Sequence, residues 1–307
     1  MKRTNLFPGI LLVASAILFA AWPGHAQTVP VTTVVTVLGP KYTPPPAIGK
    51  DDISVYEQKQ KKEVTSWIPA QGDKAALELA IVIDDSDASD LGLQFNDITN
   101  FIKSQPRATG VGIFYARNGT VEAVAQFSTD HDAVAKKLRL PFGRGAAYAS
   151  IYLSLMDLIS RWPVTGARRE IFLIADGIDR FRGDPFSPDV PATIERAQKA
   201  GIIIHSIFAS GVGRFSRNFY RVNLGQSNLA QMADSTGGEA FFQGTQTPIA
   251  FAPFLAQLEM VLKNQYWLTW TTDRAKNAKG ELRSFRVHTE QANVEISAPN
   301  KIFVPGP

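Results

Sequence analysis

The stretch LELAIVIDDSDASD, residues 77–90, decides the reading of this chain. Its first seven residues form an apolar run with little alternation, the pattern of a parallel strand covered on both faces. The run ends in Asp84-Asp85-Ser86-Asp87-Ala88-Ser89-Asp90, four carboxylates within seven residues. Acids at such close range need a cation or ample water. The carboxyl ends of the strands are also where open α/β sheets bind ligands.

Two further runs repeat the pattern, REIFLIA (169–175) and GIIIHSIFA (201–209). The first leads into Asp176, so neighbouring strands would bring Asp84 and Asp176 to one rim. Hard oxygen donors of this kind suit Mg²⁺, Mn²⁺ or Ca²⁺. Helical patterns fill the intervals. Over 145–162, Tyr148, Ile151, Tyr152, Leu155, Ile159 and Trp162 recur at spacings of 3 and 4 and make one apolar stripe. Residues 91–103, 131–139, 189–200, 227–236 and 249–264 are further helix candidates. VGIFYAR (111–117) and TVEAVAQF (120–127) flank Asn118-Gly119, the strongest two-residue hairpin signal. Residues 75–264 are thus expected to form a doubly wound α/β domain with one antiparallel hairpin strand.

The flanks read differently. Residues 27–74 carry the β-branched VTTVVTVL (31–38) and then Pro44-Pro45-Pro46, which excludes helix and inner strand. DDISVYE (51–57) and KEVTSWI (62–68) alternate and suggest a hairpin. Residues 265–307 carry YWLTWTT (266–272), LRSFRVHT (282–289) and NVEIS (293–297). Neither flank buries a core alone, so the two are expected to pair into a small β-sandwich.

At the start, Lys2 and Arg3 precede the apolar run Ile10–Ala21 and the small residues Gly24 and Ala26. As a helix this run rises about 18 Å, well short of the roughly 30 Å of a bilayer's hydrocarbon. Residues 1–26 are therefore expected to be a secretory signal cleaved after Ala26, and the mature protein to be periplasmic or secreted without a transmembrane span.

Composition narrows the chemistry. The 307 residues are 45% hydrophobic and 20% charged, ordinary globular values, and include no Cys. That excludes disulfide frameworks, thiolate metal sites and cysteine nucleophiles. The net charge of +4 owes half its size to Lys2 and Arg3, too little to argue for nucleic acid.

Together AIVIDDSDAS, the hairpin at Asn118-Gly119, the loop PFGRGAAYASIYLSLMDLI and the strand IFLIADGIDR resemble a von Willebrand factor type A domain, in that family's order and spacing. The resemblance implies a Rossmann-like fold with a metal-ion-dependent adhesion site of form Asp-x-Ser-x-Ser, plus a Thr and an Asp from later loops. Asp84, Ser86 and Asp176 match three of these positions. Ala88 stands where the second Ser belongs and Gly145 where the Thr belongs, so the implied site is degenerate. The likeness extends to exported proteins of this type from Acidobacteria, across residues 31 to about 304. It implies an exported, non-enzymatic binding, adhesion or assembly module that engages a protein ligand through an acidic side chain, with Mg²⁺ or another divalent cation where the site permits one. Asp87, Ser89, Arg144, Gly145 and the loop RFSRNFYR (214–221), with Arg214, Phe215, Arg217 and Tyr220, are the candidate partner-binding residues, and that loop is expected to be a partly exposed lid.

Two other readings compete. Asp85-x-Asp87-x-Ser89 after an apolar strand resembles the first motif of haloacid-dehalogenase-like phosphatases, with Asp176 and Asp179 as later Mg²⁺ acids. A metal-free structural envelope protein is the other. Neither GxSxG, HExxH nor a P-loop occurs. His205 lies inside a buried run and reads as a hydrogen-bonded core residue. Arg182-Gly183-Asp184 reads as a turn, with Arg182 placed to pair with the acidic rim.

Overall fold

The computed structural model describes residues 28–143, 150–181, 186–213 and 217–307. The signal segment, Arg144, Gly145, Tyr148, Arg182, Arg214 and Phe215 lie outside the described residues.

A six-stranded sheet forms the centre. Its strands are β5 (Leu77–Asp84), β6 (Thr109–Arg117), β7 (Thr120–Ser128), β8 (Arg168–Ala175), β9 (Ile202–Phe208) and β10 (Ala240–Phe241), in the order β10-β9-β8-β5-β6-β7. All neighbours are parallel except β6 and β7, which pair antiparallel through the tight turn at Asn118-Gly119. Both turn residues have positive φ, 55° and 73°, which is why this dipeptide sits here. Helices α1 (Phe95–Ser104), α2 (His131–Ala135) and α6 (Ala252–Lys263) cover one face, and α3 (Ile151–Arg161), α4 (Asp189–Ala200) and α5 (Phe219–Thr236) the other. Strands sandwiched in this way are buried on both faces, as the apolar runs require: Leu79 to Ile83 and Ile171 to Ala175 are fully inaccessible.

The chain's two ends supply the remaining strands. β1 (Thr28–Leu38), β4 (Val64–Pro69), β11 (Gln265–Asp273) and β13 (Glu295–Ser297) form one antiparallel sheet, in the order β13-β1-β11-β4. β2 (Ile53–Glu57), β3 (Gln60–Lys62), β12 (Glu281–Thr289) and β14 (Lys301–Val304) form another, in the order β14-β12-β2-β3. One apolar cluster lies between them, including Val35, Val55, Leu268, Trp270 and Val304.

Three local expectations are corrected. Within the expected hairpin β2 meets only the short β3, through a turn with positive φ at Gln58 and Lys59, while its other edge pairs with β12; KEVTSWI then crosses to the opposite sheet, where β4 pairs with β11. The alternation of the segment is compatible with either sheet, so the pattern alone could not assign it. Helix α5 begins at Phe219, eight residues before the expected start, capped by Asn218 accepting a hydrogen bond from the Arg221 N–H (3.1 Å). Hence Phe219, Tyr220 and Arg221 form a first helical turn and not a lid. Residues 89–94 form a 3₁₀ turn before α1. Among the described residues no helix is long and apolar enough to cross a membrane.

Candidate functional site

β5 is flanked by β6 on one side and β8 on the other, so its carboxyl end is the switch point of the sheet. Asp84 ends β5, and Asp176 follows the last residue of the adjacent β8. The two carboxylates do reach one buried pocket, and a third charged group joins them. Arg180 Nη1 donates to Asp176 Oδ1 at 3.0 Å, its Nη2 donates to Asp176 Oδ2, and Nη1 lies 4.0 Å from Asp84 Oδ2. The guanidinium therefore sits between the two acids. Asp84, Asp176 and Arg180 are each at most 4% exposed.

The loop after β5 is held shut by backbone pairing. Ala88 N–H donates to Ser210 O (2.9 Å) and Val212 N–H to Ser86 O (3.0 Å), tying it to the loop after β9. Within it the Ser86 N–H donates to Asp84 Oδ1 at 2.8 Å. Asp87 is fully buried, and among the described residues neither of its oxygens, nor Ser86 Oγ, has a hydrogen-bond partner. Burial, together with the charges of Asp84 and Asp176, pushes the Asp87 carboxyl well above its ordinary range. Burial likewise raises Asp84, to about 6, with Arg180 opposing the rise and Asp176 adding to it. Ser89, in contrast, faces solvent at the start of the 3₁₀ turn.

Asp85 is engaged elsewhere. It takes a two-pronged pair from Arg139, 2.7 Å to Oδ1 and 3.0 Å to Oδ2, and the Phe142 N–H at 3.0 Å. Both oxygens of the acid that a phosphatase would use as nucleophile are thus occupied by fixed donors. The same Arg139 lies 3.8 Å from the Tyr115 ring centroid and 4.2 Å from that of Phe142, while Arg117 lies 5.0 Å from Phe142 on its own account. Phe142 thus lies against two guanidinium groups and still exposes half of its surface.

Phe142 has company. Leu93 and Leu140, Phe181 and Phe186, Phe219 and Tyr220, and Phe242 and Ile249 are also exposed. Each stands on a loop or first turn at the carboxyl end of the parallel strands. Among the described residues, the only large exposed apolar side chains elsewhere are Ile68 and Val164. An open cavity beside this rim is lined in part by Asp90, Ser210, Gly213, Arg217, Phe219 and Gln246.

Tested against the divalent ion of the adhesion-site resemblance, these residues do not fit. The place between Asp84 and Asp176 holds a guanidinium, and Ala88 offers no side-chain oxygen where the motif has a Ser. Among the described residues, no three His, Asp or Glu side chains are arranged to hold a metal. Arg139, Phe142 and Arg180 were not singled out by the sequence. The signals were present: Arg180 stands four residues after Asp176 in the same loop, and Arg139 directly precedes the LPFG turn that contains Phe142.

No family model matches the sequence, and no curated protein does. Among solved structures, the chain is similar to proximal thread matrix protein 1 from the mussel byssus, at 13% identity and a TM-score of 0.41 over 70% of this chain and 48% of that one. It is also similar to the ArnB paralogue VWA2 of Sulfolobus acidocaldarius, at 9% identity and a TM-score of 0.41 over 92% and 76% of the two chains. The SpRpn10 VWA domain is similar at 14% identity and a TM-score of 0.36, over 61% and 94%. The chain spans about half the length of the mussel protein.

Proposed function

We propose that this protein is an exported, non-enzymatic protein-binding module, a diverged type A domain whose contact surface is the carboxyl rim of the central sheet. One observation carries the reading: the gathering of exposed apolar side chains on that rim. Exposed apolar side chains concentrated at one end of a fold mark interaction sites. The Arg117–Phe142–Arg139 clamp adds a second feature of binding hot spots, an aromatic anchor whose conformation is set before the partner arrives. Export rests on Lys2, Arg3 and the apolar run Ile10–Ala21, and predicts a mature protein that begins at Gln27.

The experiment is recovery of partners by cross-linking on the producing cells, with wild type and Phe142→Ser/Phe219→Ser compared at equal expression. Phe219 is largely exposed and Phe142 half exposed, so the pair should leave the thermal midpoint within about 4 °C of wild type. A partner recovered by wild type should fall at least tenfold with the variant, as expected for the loss of two anchors at roughly 1 kcal/mol or more each. Undiminished recovery would move the contact surface elsewhere.

A further inference from the structure

We propose that Arg180 is the resident cation of the rim, its guanidinium permanently taking the place between Asp84 and Asp176 where the type A resemblance puts a divalent ion. The inference stands on the buried cluster and is independent of the docking proposal.

Three features of the chain support it. First, the contacts are those of a built pair: two prongs on Asp176, the second acid at 4.0 Å, and burial of all three groups. A planar, delocalised guanidinium suits such a buried two-pronged pair better than an ammonium. Second, the neighbourhood leaves room for it. A Cβ on Gly211 would stand 2.1 Å from Arg180 Nη2 and 2.5 Å from Asp176 Oδ2, so the absence of a side chain there lets the loop after β9 close over the pair. Third, the departures from the adhesion motif match. Ala88 removes an oxygen that a cation would need and a guanidinium does not. The features that favour a metal are the orphaned Asp87 carboxyl and Ser86 Oγ, and the experiment is designed around them.

Thermal unfolding of the full chain is measured in EDTA and in millimolar Mn²⁺ for wild type, Arg180→Met, Asp84→Asn and the double variant, with binding of free Mn²⁺ to wild type read by electron paramagnetic resonance. Wild type should bind no Mn²⁺ and keep one midpoint in both media. Arg180→Met leaves two or three buried acids without their cation and should lose about 10 °C in EDTA. Adding Asp84→Asn should recover part of that loss, since it removes one of the acids left facing each other. Stoichiometric Mn²⁺ binding by wild type, or an Arg180→Met variant as stable as wild type, overturns the proposal. If Arg180→Met does not fold, the wild-type Mn²⁺ result decides alone.

Discussion

Asp84 shows how position converts an ordinary carboxyl into a pH-dependent one. Its folded value of about 6 stands against an ordinary 3.8, so across that interval the folded chain keeps a proton that the unfolded chain has released. Protonation therefore stabilises the fold as pH falls from 7 towards 4, by up to about 3 kcal/mol for this group, and Asp87 acts in the same direction. Other acids oppose it at the low end. Burial alone would raise Glu57 and Glu170, but hydrogen bonds from Arg283, Trp270 and Thr272 to the first, and from His205 and Gln265 to the second, hold both below their ordinary 4.5. Their contribution is complete at neutral pH and is lost as pH falls below about 4.5. The thermal midpoint should thus be higher at pH 5 than at pH 7.5 and fall again below pH 4. Asp84→Asn should raise the midpoint at pH 7.5 and flatten the slope between pH 5 and 7.5. A wild-type midpoint that rises steadily from pH 5 to 7.5 would contradict this assignment. Sequence could reach Asp84 and Asp176 because an acid closing an apolar run needs no partner to be noticed. It did not reach Arg180: the spacing of four from Asp176 was there to be read, but nothing linear says that a loop arginine turns inward.

At the scale of elements, the contact between α5 and the loop after β8 is set by two glycines. A Cβ on Gly225 would lie 2.2 Å from the Asp176 carbonyl oxygen, and one on Gly177, which has φ 70°, would lie 2.3 Å from the Gly225 carbonyl oxygen. Gly→Ala within a helix ordinarily stabilises by up to about 1 kcal/mol. Here the backbone of the loop that positions Asp176 occupies the space, so Gly225→Ala should destabilise by about 2 kcal/mol, as overpacking of a closed contact does. Urea unfolding measures it directly, and a stabilised variant would show that the helix stands farther off. The central strands were legible because a sheet covered on both faces leaves an unbroken apolar run. KEVTSWI was not, because alternation says which side chains are buried and not which of two facing sheets receives the strand. The start of α5 was hidden for a similar reason: Phe219 and Tyr220 are exposed, so the apolar stripe begins only at Val222.

Over the whole molecule, a buried polar network joins the central sheet to the flanking one. Glu170 on β8 accepts from His205 Nε2 at 2.8 Å and from Gln265 Nε2, at the start of β11, at 3.1 Å. The Glu239 N–H donates to His205 Nδ1 (3.1 Å), which fixes the neutral tautomer with its proton on Nε2. Arg168 reaches Leu262 O and Ala75 O, both at 3.0 Å, and also donates to Gln265 Oε1. These bonds lie at the amino-terminal end of the sheet and leave the opposite rim, with its aromatic side chains, facing outward. The gathering of that rim was the least legible feature, because Leu93, Phe142, Phe186 and Phe219 are scattered over more than a hundred residues and meet only through the order of the strands.

The measurement closest to the central claim is partner recovery on the producing cells, run in EDTA and again in millimolar Mn²⁺, with wild type and the Phe142→Ser/Phe219→Ser variant. A rim that carries its own cation and grips through apolar anchors should give equal wild-type recovery in the two media and a loss with the variant in both. Recovery by wild type that vanishes in EDTA and returns with Mn²⁺ would contradict the account.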